Sequence, residues 1–138
     1  TADKGRQEFT YAFYAWNGSL AESAVVREAY DLNCPIVTAP GAAGHGAAGE
    51  RSLFSLDAPN VAIETVKPAE DGSGDVIVRL YESKRASTRC TLTTSLPVRE
   101  AVQTDMLENN QAPLPCQNGQ IRLDLRAFEV KTLRLRME

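Results

Sequence analysis

The sequence predicts an all-β, mostly antiparallel fold, a β-sandwich with at most one short helix. Three observations lead there. About seven short extended runs follow one another with turn residues between them, the spacing expected of two packed sheets rather than a βαβ array. Within most of those runs apolar residues alternate with polar ones, the period of a strand with one buried face. No segment repeats at a fixed period of roughly 20 to 50 residues, which argues against a solenoid or propeller.

The first run, Glu8 to Tyr14, is aromatic and suits a strand buried on at least one face. Asn17-Gly18 breaks it. Ser19, followed by Glu22, has the spacing of a capping box for a short helix through about Tyr30. Pro40 then opens a Gly/Ala tract, residues 40–50, in which His45 is the only larger side chain. With little surface to bury, the tract is expected to be a flexible loop. It is not expected to divide the chain, because the N-terminal flank has too few strands to close a core.

Ser52–Leu56 is a short apolar run. Val61, Ile63, Thr65 and Lys67 start an alternating strand that ends at Pro68. The turn residues Glu70-Asp71-Gly72-Ser73-Gly74 link it to Val76, Val78 and Leu80 as an antiparallel hairpin. Cys90, Leu92, Thr94 and Leu96 make the next strand, Pro97 interrupts it, and an extended piece runs from Val98 to Glu108. Asn118-Gly119 marks a second hairpin, with Ile121, Leu123 and Leu125 in phase after it. A final strand spans Phe128 to Met137, and its apolar phase shifts between Val130 and Leu133, which suggests a bulge or an edge irregularity.

At 138 residues, one domain spanning 1–138 is expected, long enough to bury a core without disulfides or metal. The composition is 43% hydrophobic and 24% charged, that of a globular chain. A net charge of −3 offers no basic stripe for nucleic acid. The longest uncharged stretch is Gly/Ala/Pro-rich, so no membrane partner is expected either. The three cysteines, Cys34, Cys90 and Cys116, are odd in number and widely spaced, which points to a reducing, cytoplasmic setting. The chain opens at Thr1 without a signal-peptide pattern and reads as a piece of something longer.

Chemistry is sparse. His45 has no second imidazole or thiolate near it in sequence, so neither a metal site nor a histidine-based nucleophile is expected. Glu70, Asp71 and Asp75 read as turn residues. Glu64, Glu82 and Glu129 are assigned to solvated strand faces. No catalytic and no metal-binding residue is therefore named. Tyr14, Trp16, Tyr30 and Tyr81 are the rings that could stack on a sugar. The residues singled out for interdomain or sugar contact are Trp16, at the end of the aromatic run, and Arg79 and Tyr81, in the strand after the acidic turn.

The segments Glu8–Tyr11, Ala29–Asn33, Ser52–Ser55, Ile63–Lys67, Glu70–Gly72, Val78–Glu82, Thr104–Glu108 and Phe128–Leu133, in that order, resemble the C-terminal region of the family 38 α-mannosidases, nearest their cytosolic-type branch. The resemblance spans nearly the whole chain. Where the family commonly has Pro-His after the aromatic run, this sequence has Ala15-Trp16. The resemblance implies that the intact parent is a retaining, zinc-dependent exo-α-mannosidase. Its nucleophile and metal ligands would lie in an N-terminal catalytic region of the same polypeptide, which this domain supports without turnover of its own. The alternatives are a stand-alone carbohydrate-binding module and a protein-interaction sandwich. The Cys, Trp, Cys order of true immunoglobulin domains is absent, because Trp16 precedes all three cysteines.

Overall fold

The structure is a computed structural model and describes residues 4–40 and 52–138. Most of the Gly/Ala tract, with His45, lies outside the described residues. The chain separates into two compact units, Thr1–Thr38 and Ala39–Glu138, where the strand count alone suggested one domain.

In the first unit the aromatic run is not a strand. Glu8 to Tyr14 has no regular secondary structure, and Phe9, Tyr11 and Phe13 are exposed. A period-2 pattern makes a strand only where a neighbour completes the hydrogen-bond ladder, and no strand occurs among the described residues of this unit. The capping box does form: the Glu22 carboxylate accepts from the Ser19 N–H at 2.8 Å and from its hydroxyl at 2.9 Å. The turn it starts is a 3-10 turn, Leu20–Glu22, closed by the Ser23 hydroxyl donating to the Leu20 carbonyl at 2.7 Å. Helix α1 begins afresh and runs Val25–Asn33, slightly beyond the expected end. Pro35 follows Cys34 and disfavours helical backbone there.

The second unit is the sandwich. One sheet has four strands in the order β1 (Phe54–Leu56), β4 (Thr88–Thr94), β8 (Gln120–Leu125), β7 (Cys116–Gln117). The other has five, in the order β2 (Val61–Pro68), β3 (Val76–Glu82), β9 (Val130–Met137), β5 (Val98–Thr104), β6 (Asn110–Leu114). All pairings are antiparallel. Both expected hairpins are present: β2 and β3 pair around the Gly72 turn, and β7 and β8 around Asn118-Gly119. Gly72 and Gly119 both take φ of 71°, which glycine adopts without steric penalty.

Between the sheets lie Val78, Leu80, Leu133, Leu135 and Ala101 from one, and Cys90, Leu92, Ile121, Leu123 and Leu125 from the other. In β8 every second residue is buried and its neighbours are exposed, so the outer face of the four-stranded sheet meets solvent. The five-stranded sheet differs. Thr132 through Leu135 of β9 are all buried, inward and outward residues alike.

That double burial corrects the reading of β9 as irregular or an edge. It sits at the centre of its sheet and keeps an unbroken register with β3 from Val130 to Leu135. Its apolar phase blurs because a central strand covered on both faces loses its alternation. In its pairing with β5 the register shifts on the β5 side, between Val98 and Glu100, and the sheet's other shifts lie at Ile63/Thr65 in β2 and Gln103/Thr104 in β5.

Candidate functional site

Two polar clusters are built into the five-stranded sheet. The first lies on its outer face, where Ile77 of β3, Arg134 of β9 and Val102 of β5 form one cross-strand row and Arg79, Thr132 and Thr104 the next. Beyond β5 the chain turns at Asp105. Its carboxylate accepts from the N–H groups of Leu107 and Asn109, both at 2.9 Å, and Glu108 takes φ of 67°.

This turn folds back as a strap. Glu108 Oε1 lies 2.6 Å from Lys67 Nζ of β2. The other Glu108 oxygen accepts from the Glu70 N–H at 2.9 Å and lies 3.6 Å from Arg134 Nη2. Arg79 Nη2 donates to the Met106 carbonyl at 3.4 Å, and its Nε to the Thr132 hydroxyl at 3.2 Å. Arg134 Nη1 lies 2.8 Å from Asp71 and 3.9 Å from Asp75. Its buried Nε finds no partner among the described residues.

The electrostatics follow from these contacts. Hydrogen bonding to Glu108 and Glu70 raises the Lys67 amine. The Lys67 ammonium and the Glu70 N–H lower the Glu108 carboxyl. Asp71, accepting from Ser73 and from Arg134, is held at about 2. Asp71 and Asp75 thus do more than shape their turn. With Glu108 they surround a guanidinium.

The second cluster centres on Glu82, which corrects its assignment to a solvated face: the residue is 1% exposed. Glu82 stands in phase with the inward set Val76, Val78 and Leu80 of β3. Its Oε1 accepts from Asn60 Nδ2 at 2.9 Å and the Lys84 N–H at 2.7 Å, and its Oε2 from the Phe128 N–H at 3.0 Å. Burial alone would push this carboxyl up. The Phe128 N–H, the Asn60 amide and the N–H groups of Lys84 and Ala86 outweigh it and hold Glu82 at about 2. Glu129, unlike Glu82, is not in a strand. It lies in the β8–β9 turn, half-buried, and accepts from the Arg126 N–H at 2.7 Å. Glu64 is exposed on β2, where it is the residue left unpaired by a register shift between Ile63 and Thr65.

Of the residues singled out from sequence, Arg79 and Tyr81 fall on the same face of β3. Arg79 ties β9 to the strap. Tyr81 is half-buried and faces Val130 across the ladder. Trp16 belongs to the first unit, partly exposed and stacked on Tyr14 with ring centroids 5.8 Å apart. Sequence reasoning missed Glu82, Glu108 and Arg134 as a group. An acid in phase with three buried residues was a readable sign for Glu82; nothing local marks the other two.

No set of three His, Cys, Asp or Glu side chains among the described residues could hold a metal ion. Where Asp71, Asp75 and Glu108 converge, the space between them is taken by Arg134. The three cysteines are unpaired.

Residues 60–133 match the family model described as the glycosyl hydrolases family 38 C-terminal beta sandwich domain. The chain is 40% identical to mouse Alpha-mannosidase 2C1 and 38% to the human protein of that name, over 98% of this chain in each case. It is 29% identical to Alpha-mannosidase G of Dictyostelium discoideum over 97% of this chain. The chain spans 13% of the length of each of these relatives. It belongs to the family 38 glycosyl hydrolases, whose C-terminal β-sandwich domain it contains.

Proposed function

We propose that this chain is the non-catalytic C-terminal β domain of a retaining α-mannosidase, supporting a catalytic region of the same polypeptide. That region would hydrolyse terminal α-mannosides and carry a zinc ion; of these, α-mannoside hydrolysis is what the relatives' printed names support. The carboxylates of the two clusters, already committed to N–H groups and cationic side chains, do not fit zinc. The unpaired thiols are compatible with a cytoplasmic setting. No helix among the described residues is long and apolar enough to cross a membrane.

The observation that carries this reading is how the carboxylates are used. A glycosidase needs one carboxyl kept protonated near neutral pH, its pKa raised, to act as general acid. Here the acids of the two clusters are pulled the other way: Glu82 and Asp71 are held at about 2, and Glu108 and Glu129 are lowered. Each is committed to backbone N–H groups or to a lysine or arginine of the fold. Such acids brace loops and do not deliver protons.

The test is hydrolysis of a chromogenic α-mannoside by the full-length parent and by the 138-residue chain, each with and without added zinc or cobalt. Turnover is expected from the parent alone. Turnover by the isolated chain would overturn the proposal.

A further inference from the structure

We propose that the sandwich docks onto the remainder of the parent polypeptide through the strap-covered outer face of its five-stranded sheet, with Leu107 and Phe128 as anchors. This rests on the supporting role proposed above and names the surface that performs it.

The two outer faces differ in kind. On the four-stranded sheet the outward residues are Arg89, Thr91 and Thr93 of β4 and Gln120, Arg122 and Asp124 of β8, a polar surface content in water. Around the other face stand exposed apolar side chains: Leu107, 83% exposed, and Met106 on the strap, and Val130 at the start of β9, with Phe128, 62% exposed, in the turn that leads into that strand. Tyr81, paired with Val130, is on the same face as Arg79, which holds the strap through the Met106 carbonyl.

These apolar residues are held in place. Phe128 takes φ of 58°, a left-handed backbone that costs a bulky residue about 1–2 kcal/mol. Its N–H is fixed by the buried Glu82 carboxylate. A left-handed backbone inside the turn closed by the Glu129 N–H on the Arg126 carbonyl, and locked by an enclosed charge, thereby presents a phenyl ring to solvent. The strap is fixed likewise by Glu108.

The occupant follows from size. Together Met106, Leu107, Phe128, Val130 and Tyr81 offer on the order of 500 Å² of apolar surface, short of the ~800 Å² per partner in a stable free-standing complex. A second copy would be held weakly. A tethered partner meets the face at an effective concentration in the mM range, where contacts of this size suffice. The family relatives extend far beyond this region, which spans 13% of their length.

The test places photoreactive benzoylphenylalanine singly at Leu107, Phe128 and, on the polar face, Gln120 of the full-length parent. Mixed isotope-labelled and unlabelled protein is irradiated, and cross-linked peptides are mapped. Links from Leu107 and Phe128 to peptides outside residues 1–138 of the same molecule, with none from Gln120, are expected. Such links from Gln120 alone would overturn the choice of face and leave the supporting role standing. Links only between labelled and unlabelled molecules would overturn the tethered occupant. No link from any position to the rest of the polypeptide would overturn the supporting role as well.

Discussion

At the scale of single residues, charge inside this sandwich is tied to backbone geometry. Glu82 gathers the N–H groups of Lys84, Ala86 and Phe128 and the Asn60 amide, joining the β3–β4 and β8–β9 connections at one end of the sheet. Glu82→Gln keeps the shape but removes the charge and turns one acceptor into a donor facing donors. A loss of about 2 kcal/mol or more is predicted, measured by urea denaturation at pH 7. The acid limb gives a second check. Because the folded pKa of Glu82 is depressed to about 2 from 4.5, its contribution is complete above pH 4.5 and is lost as pH falls from there toward 2. Melting temperature should therefore drop over that window, and drop less in Glu82→Gln. Arg134 and Arg89 make a contrasting pair. Arg89 and Asp124 are 2.9 Å apart but 92% and 80% exposed, so Arg89→Ala should change stability by no more than about 0.5 kcal/mol. Arg134→Ala leaves Asp71, Asp75 and Glu108 facing one another in partial burial and should lower the melting temperature far more.

At the scale of elements, turns with a glycine at the required position were the most legible features. Asp71-Gly72 and Asn118-Gly119 each lie where a hairpin forms, because few other residues accept their backbone angles. The two glycines should respond differently to alanine. At Gly72 a methyl group meets nothing, so only the left-handed backbone is felt, about 1 kcal/mol. At Gly119 the same methyl overlaps the Thr94 carbonyl oxygen, whose residue also donates its N–H to the Gly119 carbonyl at 2.9 Å. Gly119→Ala should cost clearly more, and parallel thermal melts would show it. Illegible features were those whose structure depends on a distant partner. The aromatic run at Glu8–Tyr14 has strand chemistry and no ladder. The centrality of β9 depends on β3 and β5, and the strap on Lys67 and Glu70, some forty residues away along the chain. Glu82 was readable from its phase with Val78 and Leu80. Its acidity masked that phase.

At the scale of the whole molecule, the sandwich was visible from alternation and turn spacing, and its family from segments spread over the chain. The division into two units was not, since a boundary depends on which segments pack together rather than on composition. The core between the sheets should behave as any close-packed interior does. Leu92→Ala or Leu135→Ala, each fully buried, should cost about 2–5 kcal/mol, whereas Leu107→Ala should leave the isolated chain nearly unchanged. Whether this region supports chemistry done elsewhere is decided by Glu82→Gln in the full-length parent. The measurement is kcat and its pH profile on an α-mannoside at low temperature, beside the half-life of activity on heating. An unchanged kcat and pH profile with a shortened half-life are expected. A fall in kcat of about 100-fold or more with the half-life intact, the size seen when a catalytic acid is lost, would contradict the supporting role.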